Sequence, residues 1–214
     1  MKHQVEFERY AKGRRRGLRK LLVVACVLFA VCGLYCVATR LNLSPGTSVG
    51  DVVDSFNGVS VHHNGGISAS SGRNLTPDGY NIGIRYQCVE FVKRYYNERF
   101  SHRMPDTYGH AKDFFERGLA DGTPNSRRGL LQFVNGGTHA PAAEDIIVLA
   151  PWIFNRYGHV AIVSAVSGDA LEVVQQNPGP FGKTRKTYRL STRDGRWQVE
   201  NGRVLGWLRL RGVQ

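Results

Sequence analysis

The chain has 214 residues, 42% of them hydrophobic and 10% aromatic, which is too apolar for a disordered segment. Its formal charge of +12 points first at nucleic acid, but residues 1–40 hold nine Lys/Arg and two Asp/Glu, so more than half of the excess sits in the leader. The rest is only mildly basic, spread from Arg73 to Arg211 with one looser cluster at Lys183, Arg185, Lys186 and Arg189, and no aromatic-basic motif marks a nucleic-acid partner.

Leu21 to Thr39 is an uncharged, mostly apolar run. At ~1.5 Å per residue a helix of that length crosses a hydrocarbon core of ~30 Å. Lys2, Arg9, Lys12, Arg14, Arg15, Arg16, Arg19 and Lys20 precede it, and only Arg40 follows before Arg73. The positive-inside rule therefore predicts a single-pass protein of the inner (cytoplasmic) membrane, N-terminus in the cytoplasm and the C-terminal domain periplasmic or extracellular. A cleaved signal peptide has a shorter apolar core, of ~7–15 residues, and the residues near Ala38 make a poor cleavage site. The expected organisation is a basic cytoplasmic segment at 1–20, a transmembrane anchor at 21–39, a linker at 40–54 and one folded domain at 55–214. Cys26, Cys32 and Cys36 lie inside the apolar run, so Cys88 is the sole thiol of the exported domain and has no disulfide partner there. A retained single thiol in that setting points either to a reactive role or to a simply buried one.

Residues 41–80, rich in Gly, Ser and Asn, read as a tether with irregular structure, interrupted by a short strand at Val59-Ser60-Val61. From Cys88 to Phe100 the apolar positions Val89, Phe91, Val92, Tyr95, Tyr96 and Phe100 alternate i+3 and i+4 steps among charged residues, which predicts an amphipathic helix. A second helix is expected from Tyr108 to Gly118, capped by Asp106 or Thr107, followed by a polar loop through 120–143. Strand-like runs then come at Asp145–Ala150, His159–Val166, Leu171–Gln176 and Val204–Arg211. Helices ahead of an antiparallel meander make the class α+β.

Cys88 falls in the first turn of its helix, where free backbone N–H groups and the positive dipole end favour a thiolate. A thiol nucleophile needs a base from elsewhere in the fold. His3 is on the cytoplasmic side, His62, His63, His102 and His139 lie in polar loop-like segments, and His110 is on the second helix, whereas His159 opens a strand directly after Gly158. His159 is thus the candidate base; the plain alternative is a strand-end histidine satisfied by a backbone carbonyl. With a three-residue turn at Ser167-Gly168-Asp169, antiparallel pairing sets 161 opposite 175 and 159 opposite 177, so His159, Gln175 and Asn177 share a face. Either amide oxygen can then accept the imidazole N–H and fix its tautomer.

Gly79-Tyr80-Asn81, Tyr86-Gln87-Cys88-Val89-Glu90-Phe91-Val92 with Arg94-Tyr95-Tyr96, Asp145-Ile146-Ile147, Gly158-His159-Val160-Ala161-Ile162, Gln176-Asn177 and Leu205-Gly206-Trp207 together resemble the CHAP family, the cysteine, histidine-dependent amidohydrolases/peptidases. The resemblance spans roughly residues 55–212. It implies a papain-like α+β fold in which the nucleophile helix packs on an antiparallel sheet. It also implies that Cys88 is the nucleophile, His159 the base, and Asn177 an asparagine kept beside the site. Gln175 falls where the family commonly has an acidic residue; a glutamine orients imidazole but does not stabilise imidazolium by charge. Gln87, just before the nucleophile, is a weaker candidate for positioning substrate at the oxyanion. No metal or other cofactor is expected: the acidic residues Asp78, Asp106, Asp113, Glu116 and Asp121 are scattered, and no Cys/His pairs have zinc spacing.

The expected chemistry is thiol-dependent hydrolysis of an amide. The location and the resemblance favour peptidoglycan, at stem-peptide or N-acetylmuramoyl-L-alanine amide bonds. The details around Tyr80, Gln87–Phe91, Gln176-Asn177 and Gly206-Trp207 are also similar to the amidase half of glutathionylspermidine synthetase/amidase, which makes a polyamine-conjugate amide the alternative substrate. A non-catalytic wall-binding module is a third reading, resting on the departure at Gln175.

Overall fold

A computed structural model of the chain describes residues 2–153, 155–179 and 182–212. Residue 1 and residues 213–214, the outer ends of the first and last expected segments, lie outside these. The elements in chain order are α1 (Lys2–Arg40), β1 (Val52–Phe56), β2 (Val59–His62), β3 (Arg73–Leu75), β4 (Asn81–Ile84) and α2 (Cys88–Phe100). A short 3₁₀ turn (Ala111–Phe114) follows, then β5 (Thr123–Asn125), β6 (Leu130–Val134), β7 (Ile146–Leu149), β8 (His159–Ser167), β9 (Ala170–Val174), β10 (Arg185–Arg193), β11 (Arg196–Val199) and β12 (Val204–Arg209).

Eight of the strands form one sheet in the order β11-β10-β9-β8-β7-β12-β6-β5, antiparallel at every pairing. Both faces of its centre are covered, which is why β7 and the first half of β8 read as unbroken apolar runs rather than as alternation. Ile146, Val148, Val160 and Ile162 pack with Phe91, Val92, Tyr95 and Tyr96 of α2. Ile147, Ala161 and Val163 pack with Leu171, Val173 and Trp207 in a second cluster. The class is α+β, with the Cys88 helix laid on an antiparallel sheet as expected.

α1 is one continuous helix, and its stretch Gly13–Val37 is long and apolar enough to cross a membrane, a property that a signal sequence near an N-terminus shares. Its C-terminal end touches the folded domain: the Thr39 carbonyl accepts the Ser68 N–H at 3.0 Å, and Asn42 Oδ1 lies 3.0 Å from His63 Nε2.

Four expectations need correction. The segment expected as a helix from Tyr108 to Gly118 holds only the 3₁₀ turn. Gly109 has φ +108, and the buried guanidinium of Arg128 donates to the carbonyls of Asp106 (2.8 Å) and Asp113 (3.1 Å), so the local backbone is satisfied without helical bonding. The polar loop at 120–143 contains β5 and β6, and β6 is an interior strand between β12 and β5. The stretch 41–80 is not irregular throughout, since β1 and β2 form a hairpin whose turn, Asn57-Gly58, has both residues at positive φ. Finally, the β8–β9 turn has two residues, with Ser167 opposite Ala170. An irregularity between Val163 and Ala165 shifts the register back, so Ile162 faces Val174, the pairing that a three-residue turn would have given.

Candidate active site

Cys88 is the first residue of α2, with Gln87 as an extended N-cap at φ −81, ψ 157. The thiol lines a cleft of about 460 Å³ together with Gln87, Asn177 and Gly158. The sulfur lies against the backbone N–H of Val160, the residue after His159, so the start of α2 meets the start of β8. Gly158 takes φ +76, and a Cβ there would come within 2.7 Å of the Leu149 carbonyl oxygen, so the entry to β8 requires glycine.

The imidazole of His159 is fixed by Gln175, whose Oε1 lies 2.9 Å from Nε2. The other end of the same amide settles the proton's position. Gln175 Nε2 donates to the Lys183 carbonyl at 2.9 Å, so its oxygen must be the end facing histidine. Histidine Nε2 is then the donor, and Nδ1 keeps a free lone pair. Of the two amides expected to face the imidazole, Gln175 is the one hydrogen-bonded to it.

Asn177 is placed differently. Its backbone is left-handed (φ 54), which turns the side chain away from the strand, and Nδ2 donates to Gln87 Oε1 (2.7 Å) and the Ile67 carbonyl (2.9 Å). Gln87 in turn donates to the carbonyls of Ala69 (2.7 Å) and Ile67 (3.2 Å). Gln87 and Asn177 thus form a wall of the cleft, held by the loop that also meets the end of α1. With the Gln87 amide protons directed at carbonyls, the donors left for an oxyanion are the unpaired N–H groups at the start of α2.

Electrostatically the resting pair is neutral. Burial pushes the Cys88 thiol up to about 11, against the pull of nearby backbone N–H groups. Burial also brings the His159 imidazole down to about 4, partly opposed by the hydrogen bond to Gln175. The helix start was expected to make Cys88 a thiolate; desolvation outweighs it here.

One further set of side chains was not read from the sequence as part of the site. Buried Gln176 donates to the Gln87 carbonyl (3.1 Å) and Glu90 Oε2 (2.8 Å), and accepts the His62 N–H (2.7 Å). Glu90 also pairs with Arg94 at 2.7 Å, and Arg94 donates to the Ser60 carbonyl. This network ties the first turn of α2 to the end of β9 and to β2. The signal for it was two charges four residues apart, which on a helix usually means a solvated pair.

The model of the CHAP domain matches residues 77–177. Glutathionylspermidine synthase of Crithidia fasciculata is 31% identical over 140 residues, covering 59% of this chain and 19% of that protein. Trypanothione synthetase of the same organism is 27% identical over 133 residues, covering 60% and 20%. The bifunctional glutathionylspermidine synthetase/amidase of Escherichia coli (strain K12) is 29% identical over 156 residues, covering 64% and 23%. The chain thus spans about a fifth of the length of these curated relatives. A solved structure titled "The crystal structure of Ly7917" matches 34% of this chain and 29% of its own at 31% identity, with a TM-score of 0.25. Cys88, His159, Gln175 and Asn177 all lie inside the matched segment, and residues 77–177 of this chain are a CHAP domain.

Proposed function

We propose that this chain is a membrane-anchored, thiol-dependent amidohydrolase/peptidase that hydrolyses amide bonds of peptidoglycan beyond the cytoplasmic membrane. The observation that supports the reading is the amide of Gln175, bonded at both ends, which leaves the Nδ1 lone pair of His159 free at the start of β8, the strand end against which the helix start carrying the cleft-lining Cys88 packs. Because thiol and imidazole are both neutral at rest, the sulfur attacks the scissile carbonyl as its proton passes to His159 Nδ1. The N–H groups at the start of α2 hold the oxyanion. His159 then gives the proton to the departing amine, and the thioester is hydrolysed by a water that His159 deprotonates. Cys88, freed from the acyl group, recovers its proton from the imidazole. Gln175 orients the imidazole, and Asn177 with Gln87 shapes the wall that receives the acyl group.

The anchor reading rests on the apolar stretch Gly13–Val37 behind a basic N-terminus, with the folded domain on the far side. Ser68, whose N–H reaches Thr39, also lines the cleft, so the site opens close to where α1 would leave the bilayer. A second reading, hydrolysis of a polyamine conjugate, is favoured by the names of the similar proteins, which include a glutathionylspermidine amidase.

The test is to incubate the full-length protein in detergent with purified peptidoglycan and, separately, with glutathionylspermidine, and to identify new amines and acids by mass spectrometry. Cys88→Ala and His159→Ala are expected to abolish turnover. Wild-type turnover of glutathionylspermidine with none of peptidoglycan would move the assignment to the second reading, and activity retained by Cys88→Ala would refute the thiol mechanism.

A further inference from the structure

The two substrates differ in charge on the leaving side of the scissile amide: a stem peptide leaves bearing carboxylates, and a polyamine conjugate releases a polycation. The cleft has a sign. Its lining includes Arg73 and His110 beside Tyr108 and Tyr157, and no aspartate or glutamate is among its described lining residues. The acids of the adjoining loop are turned elsewhere. Asp106 pairs with Arg127 at 2.7 Å and accepts the Tyr108 N–H, and Asp113 accepts the His110 N–H at 2.7 Å.

Arg73 opens β3, opposite Ile84 of β4. Its guanidinium lies 5.1 Å from the Tyr108 ring centroid, and Nη1 donates a long hydrogen bond of 3.3 Å to Asn81 Oδ1. Among the described residues it makes no ion pair, unlike Arg94, Arg103, Arg127, Arg185 and Arg209. An aromatic face on one side and an amide on one nitrogen hold a planar fork in place while its other donors stay available, the arrangement that suits a carboxylate. Arg73 and Cys88 line the same cleft, so a carboxylate one or two residues from the amide on the leaving side is the group this fork is placed to meet.

We propose that Arg73 is a carboxylate subsite, and that the substrate is an amide within an anionic peptide rather than a polyamine conjugate. The proposal rests on the amidohydrolase reading and narrows it. A polycationic leaving group in this cleft would meet Arg73, with no acid among the described lining residues to offset it.

The experiment compares two synthetic peptides that differ only in having glutamate or glutamine next to the scissile amide, with glutathionylspermidine as a third ligand. Affinity is measured by calorimetry on full-length Cys88→Ala, and kcat/KM on the wild type. The glutamate peptide is expected to bind and react about 10- to 100-fold better, mainly through KM. Arg73→Gln should erase that preference, Arg73→Lys should keep part of it, and Arg73→Glu should shift it toward glutathionylspermidine. Equal affinity for the two peptides, or a preference that survives Arg73→Gln, overturns the subsite. Failure of the wild type to turn over any of the three amides, despite selective binding by Cys88→Ala, would instead sink the amidohydrolase reading.

Discussion

Gln175 uses both ends of its amide, and that makes it more than a weakened version of an acid. Its oxygen orients His159 while its NH₂ group satisfies the Lys183 carbonyl. Gln175→Ala is therefore expected to lower kcat about 10- to 100-fold, because the imidazole loses its tautomer lock, whereas Asn177→Ala, which changes the wall of the cleft, should act mainly on KM. A larger kcat loss in Asn177→Ala would show that the imidazole is oriented from elsewhere. Gln175→Glu should raise the imidazole pKa but lower the melting temperature, since a carboxylate oxygen would then face a carbonyl oxygen. The histidine also leaves a mark on stability. With a folded value of about 4 against an ordinary 6.5, the unfolded chain binds a proton between those values that the folded chain refuses. Stability is thus lost as pH falls from 6.5 toward 4, by up to about 3 kcal/mol. Denaturant midpoints at pH 7 and pH 5 should converge in His159→Asn relative to wild type; an identical acid dependence in both proteins would show that His159 is not the group responsible. Cys88 and His159 were readable as a candidate pair from residue type and position. The choice between Gln175 and Asn177 was not, because it turned on a bulge in β8 and on the left-handed backbone of Asn177, neither of which has a sequence pattern of its own.

At the level of elements, legibility followed burial. The runs in β7, β8, β9 and β12 and the amphipathic pattern of α2 stood out because these elements are buried along most of their length. β10 was invisible because only Tyr188 and Leu190 of its nine residues are buried, and its arginines read as a solvated cluster. Arg185 instead pairs with Asp54 at 2.8 Å and Glu172 at 3.3 Å, clipping the β1–β2 hairpin onto the sheet. The helix predicted after residue 108 failed for a complementary reason: the carbonyls it would have needed are taken by buried side chains. Lys93, its ammonium brought down to about 8 by burial, donates to the carbonyls of Asn81 and Thr107, and Arg128 serves the next turn. Gln176 plays the corresponding part for α2. Replacing it with alanine strands Glu90 Oε2 and the His62 N–H, while the Gln87 carbonyl keeps the Phe91 N–H, which should cost about 2–3 kcal/mol of stability. Thermal unfolding of Gln176→Ala in detergent measures this. A change below about 0.5 kcal/mol would mean that α2 is held by its apolar face alone.

Across the whole molecule, the end of the apolar helix and the cleft share one loop. Thr39 is buried against it, the Ser68 N–H bonds to the Thr39 carbonyl, and the Ile67 and Ala69 carbonyls receive the amides of Gln87 and Asn177. Gly66 makes the close approach feasible: a Cβ there would come within 2.7–2.8 Å of backbone atoms of Thr39 and Arg40, which have no side-chain freedom with which to yield. Gly66→Ala must therefore separate helix end from loop, an overpacking cost of about 1–3 kcal/mol, and the displaced carbonyls would loosen the wall beside Cys88. Amide exchange at Ser68 is expected to accelerate, with kcat/KM reduced several-fold. Gly202→Ala, at a position where nothing lies within 4 Å, serves as the control and should change neither. If Gly66→Ala speeds exchange at Ser68 yet leaves hydrolysis untouched, the helix end and the cleft are neighbours without being coupled. If both respond together, then detaching the domain from α1 removes part of the support of its own active site, and activity measured on a fragment beginning after Arg40 would understate that of the intact chain.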